Sequence, residues 1–116
     1  MDIRKANPLV LTDFYKTIHH LAYTPGLEDL VSYWTPRMSR YDYTDKAVVF
    51  GMQAFVKEYL INYFNENFFG RDKTDVIDEY KRIIANTMTV QAADTTEIEK
   101  LYDLGYLPIK IKAVPE

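Results

Sequence analysis

The feature that most constrains this chain is the spacing of apolar residues over 74–87. Val76, Ile77, Tyr80, Ile83 and Ile84 recur there at the three- and four-residue intervals of a single helical face. Thr74 stands where it can cap that helix. The same reasoning gives three more helices. Thr12 opens the first, with Leu11, Phe14, Tyr15, Ile18, Leu21 and Ala22 on one arc and Asp13, Lys16, Thr17 and His20 on the other, and "TPG" at 24–26 stops it. A long helix is expected over about 45–64, carrying Val48, Met52, Phe55, Val56, Tyr59, Leu60 and Tyr63 at helical spacing. Gly51 within it would cost about 1 kcal/mol relative to alanine, which suggests the close approach of another backbone. "NENFFGRDK" reads as a loop with two exposed phenylalanines, and "DTTE" at 94–97 as a capping box for a last helix that Gly105 ends.

Two stretches have the character of strands. "DLVSYWTP" is rich in strand formers over 29–35 and closes on Pro36. In "LPIKIKAVPE", Ile109, Ile111 and Ala113 alternate with Lys110, Lys112 and Val114, the pattern of a half-buried strand. The expected fold is therefore α+β: about four helices with a small, incomplete antiparallel sheet. Two strands alone make no stable sheet, so a further part of the chain or a second copy would have to complete it.

A length of 116 residues fits a single domain spanning 1–116, and 47% apolar with 15% aromatic residues suffices for a packed core. A formal charge of −3 without a basic stripe argues against a nucleic-acid partner. The absence of cysteine excludes disulfides and thiolate metal sites. "MDIRKANP" lacks the apolar stretch of a signal peptide, and no apolar run is long enough for a membrane span. A cytoplasmic protein is the expectation.

No phosphate-binding loop, dinucleotide fingerprint, nucleophile elbow or zinc spacing occurs. His19 and His20 are adjacent, so on a helix their rings point about 100° apart and cannot chelate one metal together. Asp13, Lys16 and His20 share a face that is either solvated decoration or one wall of a site. Tyr15 is either a core-edge residue or a platform for a planar heteroaromatic ring. Arg37 and Arg40 follow a strand, where a guanidinium can meet a phosphate or simply water. Lys110 and Lys112 share one strand face and suit an exposed surface.

Taken together, "NPLVLTDFYKTIHH", "VSYWTPR", "VVFGMQAFVKEYL" and "LPIKIKAVPE" resemble, in order and spacing, the amino-terminal segment of nicotinamide phosphoribosyltransferases. In that family the last block runs on into a glycine and the catalytic barrel, which is absent from these residues. The resemblance implies a dimeric type II phosphoribosyltransferase, which joins a nicotinamide-type base to phosphoribosyl pyrophosphate with magnesium. It also implies that the amino-terminal helix reaches into the partner subunit's site. Tyr15 would stack on the pyridine ring, Asp13 would lie beside that ring, and Arg37 would contact a phosphate of the ribosyl donor. Phe14 stands where the family often has a small residue, and Thr35-Pro36 replaces the Glu-Cys of human-type relatives. No catalytic or metal-ligating residue is assigned to this chain, which is expected to be inactive alone. The other reading is a stand-alone interaction or dimerisation module without catalysis.

Overall fold

The computed structural model describes residues 5–116. Four substantial helices form its body: a 3₁₀ helix Phe14–Ala22, a helix over 52–69, and α-helices Lys73–Thr87 and Thr96–Leu104. Short 3₁₀ turns at Pro8–Val10 and Gln91–Ala93 complete the elements.

Lys73–Thr87 is the spine, with Val76, Ile77, Tyr80 and Ile84 buried as the apolar spacing demands. Asp72 rather than Thr74 is its cap, accepting from the Asp75 N–H at 3.1 Å. Towards its amino-terminal end, Phe64 and Phe68 pack on Val76 and Ile77, ringed by Leu60, Leu101 and Tyr102. Towards the other end, Ala92 and Ala93 pack on Tyr80 and Ile84, with Phe14 and Ile18 of the 3₁₀ helix laid against them. Burial raises the Tyr80 phenol above its usual pKa, opposed by a hydrogen bond with the Thr17 side chain.

Buried Asn7 fastens the start of the described chain to this body. Its Nδ2 donates to the Val76 carbonyl at 3.1 Å, and its Oδ1 accepts from the Leu9 N–H at 3.1 Å. The Tyr63 hydroxyl donates to the neighbouring Ala6 carbonyl at 2.7 Å. Among the described residues no buried side-chain polar atom lacks a partner, as a body of this kind requires.

The expected sheet is absent: the described residues contain helices and turns but no strand. The fold is helical, not α+β, and the reason lies in partners rather than in pattern. Residues 29–35 are exposed throughout and face no neighbouring segment with which to form a ladder. The closing segment keeps its alternation: Leu107, Ile109, Ile111 and Ala113 face the 52–69 helix across a groove. A helix offers side chains but no edge of free N–H and C=O groups, so an alternating segment laid on it forms no ladder. Glu116 ends that segment at the start of the helix, its Oε1 accepting from the Gln53 N–H at 2.9 Å.

Two further corrections follow from the helix itself. It starts at Met52, not near Asp45, because Gly51 has φ of +86° and breaks the right-handed path. An added Cβ there would meet nothing within 4 Å, so Gly51 serves a turn and not a close approach. The helix also runs on through "NENFF", with i−5 bonds from Phe64 N–H to the Tyr59 carbonyl and from Gly70 N–H to the Asn65 carbonyl. Phe68 is thereby fully buried, its ring edge-on to Phe69 and Tyr102 at 4.9 and 5.5 Å.

Between the two parts of the body runs an arm over 23–50. Val31, Tyr33, Trp34, Met38, Val48 and Phe50 on it are each more than 70% exposed. The arm helps to raise the radius of gyration to 16.8 Å, against about 13 Å for a compact chain of this length.

Candidate functional site

The 3₁₀ helix carries the residues with the most chemistry. Three residues per turn, rather than 3.6, align Phe14, Thr17 and His20 along one stripe, and all three are partly buried. Thr17 and His20, expected on the solvent arc of an α-helix, therefore turn inward, while Tyr15 and Leu21 swing out to 53% and 60% exposure. The Thr17 hydroxyl donates to the Phe14 carbonyl at 2.5 Å.

Asp13, and not Thr12, occupies the cap position. Its carbonyl accepts from the Lys16 N–H at 2.9 Å, but its carboxylate makes no capping bond and remains exposed. Tyr15 lies 5.3 Å from the His19 ring, tilted by 52°, and the Lys16 ammonium sits 5.2 Å from the Tyr15 ring centre. Asp13 and Tyr15 are thus displayed at the same helix start, an acid beside a phenol. A planar aromatic ring could stack there with its polar edge near the carboxylate. Arg37 lies on the exposed arm. Asp13, Tyr15 and Arg37 line neither of the two grooves described next.

The first groove, about 630 Å³, lies between the 52–69 helix and residues 105–113 and is lined mainly by apolar side chains with Lys57 among them. The second, of the same volume, has a mixed polar and apolar lining and brings His20, Tyr23, Asp94 and Glu97 together. The Thr96 hydroxyl and N–H both donate to Asp94 Oδ1, at 2.7 and 2.9 Å. These bonds, the hydroxyl's first, hold the Asp94 carboxyl below its usual pKa, with a smaller contribution from His20. An α-helical arc leaves His20 on the solvent side, whereas the three-residue period turns it inward towards Asp94. The Asn7-Pro8 pair is a helix-start signal legible in the sequence, and it opens the Pro8–Val10 turn. No three His, Cys, Asp or Glu side chains among the described residues gather into a set that could hold a metal, so no step through a metal is assigned to them. No helix among the described residues is long and apolar enough to cross a membrane.

Comparison with known proteins places this chain in a family. The family model described as "Nicotinamide phosphoribosyltransferase, N-terminal domain" matches residues 7–111. A nicotinamide phosphoribosyltransferase from Acinetobacter baylyi is 44% identical over 117 aligned residues, covering 97% of this chain and 23% of the relative. The chain thus spans about a quarter of the length of that relative. No solved structure matches it significantly. The chain belongs to the nicotinamide phosphoribosyltransferase amino-terminal domain family.

Proposed function

We propose that these residues are the amino-terminal part of an enzyme that joins nicotinamide to phosphoribosyl pyrophosphate in NAD biosynthesis, in the cytoplasm. In that reaction the pyridine nitrogen bonds to the ribosyl C1 as the C1–oxygen bond to pyrophosphate breaks. The products are the mononucleotide and pyrophosphate. The observation that carries the reading is the 44% identity across almost the whole chain to a protein of that name.

Within it, Tyr15 is the stacking platform for the pyridine ring, Asp13 holds the base at its polar edge, and Arg37 meets a phosphate of the donor. The exposure of all three supports a composite site, because each is available to a surface that this chain does not supply. We assign that surface to a partner subunit, so the enzyme acts as a dimer. Asp13 beside the ring favours the neutral amide over nicotinate, whose carboxylate it would repel. One arginine and one aromatic face cannot stabilise both an oxocarbenium-like ribosyl centre and a pyrophosphate leaving group. The chain alone is therefore inactive.

The test is the product of the uninterrupted gene, assayed with nicotinamide, phosphoribosyl pyrophosphate and magnesium. Tyr15→Ala should raise KM for the base by about tenfold, since stacking on an aromatic side chain is worth roughly 1–3 kcal/mol. An unchanged KM for the base would remove Tyr15 from the site. No turnover by the wild-type product would end the enzymatic reading and leave an interaction module.

A further inference from the structure

We propose that Lys16 sets the charge preference of the Tyr15 platform, admitting a neutral pyridine and disfavouring a pyridinium, and so helps the product to leave. The inference deepens the stacking role given to Tyr15 above and rests on it.

The reaction itself creates the need to discriminate. The base arrives uncharged. Once its nitrogen has bonded to the ribosyl C1, and the C1–oxygen electron pair has left with pyrophosphate, the ring is a pyridinium cation. Base and product thus offer a stacking side chain the same flat ring, differing there by a positive charge. A bare phenol face favours the wrong one, because its negative π surface attracts cations. Tyr15 unaided would hold the product more tightly than the base.

The start of the 3₁₀ helix supplies the correction. The Lys16 N–H donates to the Asp13 carbonyl at 2.9 Å and fixes the first turn, and the Lys16 ammonium sits 5.2 Å from the Tyr15 ring centre. The phenol therefore already carries a cation supplied by its own helix. His19 meets the same ring at 5.3 Å and a tilt of 52°, which braces the platform. Lys16 forms no ion pair with a described residue, Asp13 three places back included, so its charge is not cancelled locally. A ring stacked on Tyr15 has its centre roughly 4.5–7 Å from that of the phenol, which puts a charge on it on the order of 10 Å from the ammonium. Two like charges at that distance repel by about twofold in affinity in water, and by more than about tenfold at an effective dielectric constant near 20. The neutral base carries no net charge to be repelled.

The probe is 1-methylnicotinamide, which has the ring charge of the product but no phosphate for Arg37 to hold. Its inhibition constant, and the KM for nicotinamide, should be measured on the product of the uninterrupted gene and on its Lys16→Met and Lys16→Arg variants. The ratio of the two constants, cation over base, should fall by about three- to tenfold in Lys16→Met and hold in Lys16→Arg. An unchanged ratio in Lys16→Met overturns the inference, even if both constants move together, because lost packing of the lysine stem would act on both ligands alike. An equal fall in Lys16→Arg overturns it too, since the charge is then not the cause. So does a pyridinium that inhibits neither the parent nor Lys16→Met. Tyr15→Ala separates this inference from the reading beneath it. A raised KM for the base, beside an unchanged Lys16→Met ratio, spares the stacking role and removes only Lys16. An unchanged KM for the base in Tyr15→Ala removes both.

Discussion

The Lys73–Thr87 spine and the 23–50 arm draw on the same kinds of side chain, and the structure treats them oppositely. The spine buries Val76, Ile77, Tyr80 and Ile84 against helices on both sides. The arm holds Val31, Tyr33 and Trp34 in solvent. Apolar content is therefore not what separates body from arm. The spine's apolar residues share a face that neighbouring helices can cover, whereas the arm's alternate between two faces and need cover from two directions. Large apolar side chains left this exposed on both faces of one segment mark a place of contact.

The largest expected difference comes from truncating one aromatic in each region. Phe68→Ala should cost about 3–5 kcal/mol and, in a domain this small, abolish cooperative thermal unfolding by circular dichroism. Trp34→Ala should leave that transition within about 0.5 kcal/mol of the parent. Equal effects would erase the distinction between body and arm.

The amino-terminal edge of the body can be probed at Asn7. Asn7→Ala leaves the Val76 carbonyl and the Leu9 N–H without a buried partner and should cost about 1–3 kcal/mol in chemical denaturation. Its other edge is Gly51, where arm becomes helix. Gly51→Ala meets no steric obstacle, yet it places an L side chain at φ of +86° and should cost about 1–2 kcal/mol by the same measurement. A neutral result would mean that the helix does not begin there.

The smallest effect should be lost in acid. The carboxyl of Asp94 is depressed by its Thr96 hydrogen bonds, so its contribution is complete above the ordinary value near 3.8 and is lost as pH falls through the folded-state value. Asp94→Asn should therefore be slightly less stable than the parent near neutrality, and the difference should vanish as pH falls through that acidic window. A destabilisation of equal size at every pH would point to packing rather than charge.

The helices were legible because their burial is local. Val76, Ile77, Tyr80 and Ile84 follow from spacing alone, and Gly105 stops the last helix at φ of +80°. What was not legible depended on partners and on winding. The strand patterns at 29–35 and 109–114 are real alternations, but a strand exists only with an edge beside it, and no segment of the described chain offers one. Phe68 could not be told from a loop residue because the widened turns of the 52–69 helix carry it past the expected end. At the candidate site, Tyr15 and Asp13 were readable as a motif on one helix. The inward turn of His20 was hidden, because it depends on a 3₁₀ period that the sequence does not announce.

Backbone amide hydrogen exchange, read residue by residue at low concentration, tests the division between body and arm most directly. On this account amides over 76–84 are protected to the limit of global unfolding, while those over 23–50 exchange at nearly the rate of an unstructured peptide. In the product of the uninterrupted gene the same arm amides should become protected as their partner surface arrives. Protection of the arm in the isolated, monomeric chain would contradict the account, because the arm would then have found its cover at home.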